Sequence, residues 1–330
     1  MRVGKNPMKE SKLAVKEAYH RVIIPVYIPH LRGYYCQSVE ILKICIDTLS
    51  RTIHDKTTIT IINNNSCCEV KEYLRSLLSD KIIDQLIEYH ENKGKIDPVV
   101  ASMKGCLEPL ITISDCDVLF KPGWQNAVEL IFRTFKNVGM VSPQPQPALY
   151  NYYSSFSWFW NLIDGSLKVS GNPDIESLLR FKFSVGNGSE LSDIEKEPIV
   201  VEKEGIKAII GAGHFCATYN RFMVKYIPDR SSGPIFNNAE RYFLDKPVED
   251  AMLQRLSTYV SYVNHMGNTL EDWMFKEGIG DLGMIKQSTP QINEFTLKEK
   301  RILVLFRPLI RLVFNSSKTK SLRLKLLGKR

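Results

Sequence analysis

A chain of 330 residues with 44% apolar and 24% charged residues is long enough to bury a large core, or two lobes that share one. Its seven cysteines are irregularly placed, odd in number and without a CxxC pair, which excludes a disulfide framework or a zinc knuckle and points to a reducing compartment. The net charge of +8 is local: residues 298–330 carry eleven Lys or Arg against one acidic residue, so the body is near neutral and a broad nucleic-acid surface is excluded.

The first twenty residues read as a polar, charged arm without the apolar core of a secretory leader. No apolar run approaches the length of about eighteen residues that predicts a spanning helix. Arg21–Tyr27 is a short β-rich run that ends in a loop with Pro29 and Gly33. Val39, Leu42, Ile46 and Leu49 fall at helical spacing and predict a helix over 38–53. Thr57–Ile62 reads as the second strand and ends at Asn63–Asn64–Asn65–Ser66, a run suited to turns and helix caps. A helix over 69–78, a strand near 83–89 and a helix over 98–108 follow, then a strand over 109–114. Strands alternating with helices predict an α/β fold with a mostly parallel sheet covered on both faces, and ligands at the C-terminal strand edges.

Past Pro143, Pro145 and Pro147 the pattern changes. Residues 150–160 are densely aromatic, 164–205 read as a long loop or insertion, and order resumes at 208–215. A helix is expected to start near Pro247 and to run through Leu256, with Glu249 and Asp250 in its first turn.

The chemistry concentrates at Asp115–Cys116–Asp117, where a hydrophobic strand ends. Two carboxylates one residue apart at such an edge can meet one divalent cation, and hard oxygen ligands suit Mg²⁺ or Mn²⁺, the more so beside a diphosphate. Glu249 and Asp250 read either as helix-start acids or as a general base for an attacking hydroxyl. His265, after a β-like run over 259–263, is a satisfied histidine or a further ligand. His214 follows Gly211–Ala212–Gly213, glycines that let backbone approach a bulky substrate or that permit a turn. The aromatic residues of 150–160 offer stacking faces for a saccharide or an inter-lobe core.

In that order, over roughly residues 21–270, the chain resembles the GT-A glycosyltransferases, specifically the inverting family 2. Val22–Ile23–Ile24–Pro25–Val26–Tyr27 resembles the family's opening strand and nucleotide-contacting turn. Ile61–Ile62–Asn63–Asn64–Asn65–Ser66 stands where Asp-Asp-Gly-Ser is usual, Asn92–Lys93–Gly94 resembles its Asn-x-Gly segment, and Ser114–Asp115–Cys116–Asp117–Val118 its Asp-x-Asp motif. Glu249–Asp250 matches its Glu-Asp pair, and His265–Met266–Gly267–Asn268 its His-x-Gly segment. The resemblance implies a nucleotide-binding half over 21–140, with contacts from Pro25, Tyr27, Asn63, Asn64, Asn92, Lys93, Asp115 and Asp117. It implies an acceptor half over 141–270, a metal at Asp115, Asp117 and His265, and a base at Asp250 beside Glu249. Asn63 in place of the usual acid still offers a donor and an acceptor to uracil. Asn65, where glycine is usual, tolerates a left-handed backbone.

Beyond a linker over 271–297, the basic tail over 298–330 reads as an amphipathic helix lying on an anionic membrane, or as a terminal helix packed on the body with its charges facing water. The resulting expectation is an inverting transferase peripheral to the cytoplasmic face of a membrane. It would use Mn²⁺ or Mg²⁺ and a nucleotide sugar, most simply UDP-linked, to glycosylate a surface-glycan or lipid-linked saccharide. A sugar nucleotidyltransferase, which would release pyrophosphate, and a non-catalytic saccharide-binding scaffold are the alternatives.

Overall fold

The computed structural model describes residues 3–6, 18–169, 174–233, 239–278 and 301–315. The first half is strand–helix repetition: β1 (His20–Val26), α1 (Ser38–Thr52), β2 (Thr57–Asn63), α2 (Cys68–Ser79), β3 (Gln85–Glu88), α3 (Ile96–Gly105), β4 (Leu110–Ser114), β5 (Val118–Phe120), α4 (Trp124–Thr134) and β6 (Val138–Ser142). Next come α5 (Ser155–Ile163), β7 (Leu167–Val169), α6 (Ile175–Ser184), α7 (Asp193–Lys196), β8 (Ile199–Lys203), β9 (Ile206–Ile210) and β10 (Cys216–Asn220). The chain continues through α8 (Lys246–Asp250), β11 (Gln254–Thr258), β12 (Val263–His265), α9 (Asp272–Gly278) and α10 (Arg301–Asn315).

One ten-stranded sheet runs β3-β2-β1-β4-β10-β6-β11-β9-β8-β7, and β12 and β5 form a small separate ladder. The β3-β2-β1-β4 half is parallel. Helices cover both faces, because alternate residues of each strand enter opposite cores: Val22, Ile24 and Val26 on one side, Ile23 on the other. This half is Rossmann-like, and it aligns the C-terminal ends of β1, β2 and β4 on one edge.

The second half departs from the expected parallel sheet. β10 is antiparallel to both β4 and β6, and β11, β9, β8 and β7 alternate in direction. Residues 164–205, expected as a loop or insertion, supply β7, α6, α7 and β8 instead. The missed signal is a hairpin: Glu204 and Gly205 at φ 54° and 77° form the primed turn that joins buried Ile199–Val201 to Ile206–Ile210.

The helix expected to begin near Pro247 instead passes through it and ends at Asp250. Residues 239–250 are continuously helical, with a π-helical turn over Arg241–Asp245 immediately before Pro247. Proline lacks an N–H and its ring crowds the carbonyl four residues back; a widened turn relieves both demands. Met252 in the left-handed region, φ 59°, closes the helix, and β11 follows where helix was expected. This helix packs tightly on β6: a Cβ at Gly139 would lie 2.5 Å from Leu253 Cβ and 2.7 Å from Val248 Cγ1. Of the N-terminal arm, residues 1–2 and 7–17 lie outside the described residues, as do most of the linker beyond α9 and the basic tail beyond Asn315.

At the opposite edge a buried polar cluster joins β1, the α1–β2 connection and α4. His20 Nδ1 and His54 Nε2 lie 3.1 and 3.0 Å from the same Glu129 oxygen. Thr112, Thr57 and Gln125 occupy the remaining imidazole and amide positions. With every ring nitrogen engaged, the cluster works as a structural tie. Burial holds the His20 pKa below its usual value. Burial raises Glu129, but its hydrogen bonds to His20 and His54 outweigh that and the net shift is downward. Both signs make acid destabilising: the unfolded chain takes up protons first, so stability present above about pH 6.5 falls as pH drops towards the folded values. Glu129→Ala is expected to cost about 3 kcal/mol in urea unfolding at pH 7, and His20→Gln to flatten the pH dependence of stability between pH 7 and 5. An unchanged slope would remove the cluster from the account.

Candidate metal and donor site

Asp115 stands immediately beyond β4, and its N–H donates to the Phe215 carbonyl at 2.7 Å, tying the Asp pair to the loop before β10. β12 pairs antiparallel with β5, His265 opposite Val118, and Met266 N–H donates to the Asp117 carbonyl at 2.8 Å. Through this ladder His265 reaches the carboxylates: its Nε2 is 3.5 Å from Asp117 Oδ2. One ligand atom from each of Asp115, Asp117 and His265 falls within 4.8 Å of the others. Phe215 and Phe181 wall the imidazole edge-on at 5.5 and 6.1 Å.

These side chains fit a divalent cation. Asp117 Oδ1 and His265 Nδ1 are buried without a hydrogen-bond partner among the described residues, a costly condition for polar atoms. Burial pushes the Asp117 carboxyl up, with the Asp115 charge adding to the effect and His265 opposing it. Carboxylate oxygens with an imidazole nitrogen form a donor set that accepts Mn²⁺ readily, and Mg²⁺ through the carboxylates.

Two charged residues that the sequence did not single out complete this edge. Lys95, just before α3, forms an ion pair with Asp115 and lies 3.7 Å from Glu240 Oε1. Burial lowers the Lys95 pKa, but Asp115, Glu240 and Asp117 outweigh it and the net shift is upward. Glu240 opens the 239–250 helix, so its carboxylate shares a cation with the Asp pair. His214 also stands here, next to Phe215, with Nδ1 3.2 Å from Asp245 Oδ2. Asp245 is fully buried and its other oxygen pairs with fully buried Arg255 at 3.0 Å. The glycines before His214 serve a close approach within the protein. A Cβ at Gly211 (φ 117°) would meet the Gln146 carbonyl at 2.6 Å, and one at Gly213 the Gln146 side chain at 3.1 Å.

On the donor side the expected residues share the edge, but their amides are spoken for. Asn63 donates to Glu88 and accepts from Ser66 N–H. Asn64 donates to Asn92 Oδ1 and the Gly94 carbonyl and accepts from Lys93 N–H, bracketing the turn that carries Lys95. Lys93 pairs with Glu91. Asn65 adopts the left-handed backbone, φ 64°, as its type allows. Pro25 lies in β1 and Tyr27, half-exposed, just past its end.

Glu249 and Asp250 are not brought to this site. β6 is parallel to β11, and Gln254 at the start of β11 pairs with Val138 at the start of β6, the edge opposite Asp115. The helix from Glu240 to Asp250 spans about 15 Å between those edges. Acids at a helix C-terminus oppose the helix dipole. They are held there by α10: Arg311 Nη2 donates to Asp250 Oδ1 at 2.6 Å, Arg307 Nη1 to the Asp250 carbonyl at 3.1 Å, and Arg311 Nε is 3.6 Å from Glu249 Oε1. Burial raises the Asp250 pKa, but Lys246 and Arg311 outweigh it and hold the carboxyl low. Burial pushes Glu249 up. Arg307 and Arg311 of α10 therefore face the body beside buried Ile310 and Phe314, whereas Leu305, Phe306, Leu309, Leu312 and Val313 are exposed, the reverse of the orientation expected for a helix packed on the body with its charges facing water. Of the aromatic stretch, Tyr150, Phe156, Trp158 and Trp160 are buried in the core, and Tyr152 lies against the Arg255 and Arg241 guanidinium groups.

No protein-family model matches the chain, and no curated protein does. Among solved structures it is similar to residues 1–349 of S. aureus TarS in complex with UDP-GlcNAc, at 10% identity and TM-score 0.42, over 78% of this chain and 60% of that one. It is also similar to the mannosyltransferase PcManGT from Pyrobaculum calidifontis in complex with GDP-Man and Mn²⁺, at 12% identity and TM-score 0.43, over 97% of this chain and 84% of that one. The chain thus spans less than two thirds of the first of these.

Cation binding at the triad is expected to raise the melting temperature. At a Mn²⁺ concentration 100 times the dissociation constant the gain is about 2.7 kcal/mol. Differential scanning fluorimetry should show the rise in the wild type and its loss in Asp117→Asn and His265→Ala. An equal rise in all three proteins would place Mn²⁺ elsewhere.

Proposed function

We propose that this protein is a metal-dependent inverting glycosyltransferase of the GT-A type, resembling family 2. It moves a sugar from a nucleotide-diphosphate donor, most simply UDP-linked, to a hydroxyl of a surface-glycan or lipid-linked saccharide. The observation that carries this reading is the convergence of Asp115, Asp117 and His265 at the C-terminal edge of the parallel half-sheet. When bound, a divalent cation supplies positive charge against the leaving diphosphate. Lys95 adds a second cation within reach of the same oxygens. Tyr27, past the end of β1, offers a half-exposed ring to the nucleoside.

Glu240 is the carboxylate placed to accept the acceptor hydroxyl's proton. It lies on the metal edge, in the wall formed by the first turn of the 239–250 helix. Attack from that wall, with the diphosphate departing towards the metal, is a single displacement that inverts the anomeric centre and needs no protein nucleophile. Asp250, the base implied by the family pattern, instead serves the helix terminus that α10 clamps.

The outward apolar side of α10, followed by a chain segment rich in Lys and Arg, supports peripheral attachment to an anionic membrane. No helix of the described residues is long and apolar enough to cross a membrane.

Three results test this reading. With Mn²⁺ and a panel of nucleotide sugars, the wild type should release nucleoside diphosphate; release of pyrophosphate would favour the nucleotidyltransferase, and no metal-dependent nucleotide binding the scaffold. Glu240→Gln should lower kcat by about 10²–10⁴-fold, while Asp250→Asn should keep kcat within about three-fold and lose about 1–3 kcal/mol of stability; the opposite ranking returns the base to Asp250. Leu309→Asp with Leu312→Asp should abolish sedimentation with vesicles containing phosphatidylglycerol without changing turnover in solution. Undiminished sedimentation would reject the membrane contact.

A further inference from the structure

Lys95 stands where a metal ligand and a candidate base meet. Its ammonium pairs with Asp115, and Glu240 Oε1 lies 3.7 Å away. Lys95 is fixed at the head of α3 in a helical backbone conformation, φ −73° and ψ −43°. Its turn is braced by the Asn64 amide through Lys93 N–H and the Gly94 carbonyl. The backbone is therefore set, while the four-carbon stem keeps freedom to re-aim a point charge with three donors. The carboxylates of Asp115, Asp117 and Glu240 face one ammonium here; a divalent cation on the Asp pair brings the cluster to neutrality and leaves a bound diphosphate as the nearest uncompensated anion.

We infer that Lys95 competes with the divalent cation for Asp115 and is the protein's own cation for the donor diphosphate. An ammonium and a metal ion cannot both approach the same carboxylate face closely, because their charges repel. Were Asp115 engaged in holding a divalent cation with Asp117 and His265, the Lys95 ammonium would be released from it and free to pair with a bound diphosphate. That movement also frees the Glu240 carboxylate from its cation. Metal binding, diphosphate capture and exposure of the base are then linked through one side chain. No covalent bond changes in this exchange; it is a rearrangement of ion pairs.

This inference rests on the metal-centre reading above, and the two fail differently. Isothermal titration calorimetry with MnCl₂ alone, on wild type, Lys95→Met and Lys95→Gln, reads the competition. UDP and GDP titrated at saturating Mn²⁺ read the diphosphate contact, which both nucleotides share. The two substitutions should tighten Mn²⁺ by about five-fold or more and weaken the better nucleotide by about ten-fold. A purely structural lysine would move both affinities in the same, weaker direction. Unchanged or weaker Mn²⁺ binding, or unchanged nucleotide binding, would overturn the role of Lys95 while leaving the metal centre standing. No Mn²⁺ binding by the wild type and both variants would overturn the metal centre itself.

Discussion

The structure turns on one electrostatic constraint: three carboxylates and an imidazole are gathered at the end of β4 with, among the described residues, one ammonium paired to them. Like charges at this spacing repel, and burial of Asp117 makes the cost larger. The fold nevertheless dedicates a separate two-stranded ladder to bringing His265 there. A chain selected only for stability would have no use for that arrangement, since a hydrophobic pair of similar volume would pack at lower cost. The site reads as one built to receive positive charge from outside, with Lys95 as a partial substitute.

Much of this was legible in the sequence, because the relevant signals are local. Strand, turn and helix alternated visibly through β4, and a hydrophobic strand ending in Asp-x-Asp needs no tertiary information to suggest a cation. His265 was also legible, as a candidate ligand just past a β-like run, although the ladder that carries it was not. What sequence could not show was direction. Glu249–Asp250 matches a familiar pair, yet whether those acids open or close a helix depends on how the chain passes Pro247. The π-helical turn at 241–245 carries the helix through the proline, so the acids land at its far end and Glu240 takes the near one. Asn63 and Asn64 show the same limit: residue type predicted hydrogen bonding, but the partners are the chain's own Glu88, Ser66 and 92–94 turn.

The tail illustrates a second kind of reversal. A basic and apolar helix suggests charge towards solvent or lipid headgroups. Here the negative end of the 239–250 helix, made worse by two acids, attracts Arg307 and Arg311 inward. The apolar residues left outside are then available to a hydrophobic partner. One helix terminus thus accounts both for the distance of Asp250 from the Asp115–Asp117–His265 triad and for the apolar outer face of α10.

Pulsed electron paramagnetic resonance of Mn²⁺ bound together with UDP tests the central claim most directly. The account predicts nitrogen coupling from one imidazole, absent in His265→Ala, together with phosphorus coupling from the diphosphate. A Mn²⁺ signal with phosphorus coupling but no histidine nitrogen, or with nitrogen that survives His265→Ala, would contradict it.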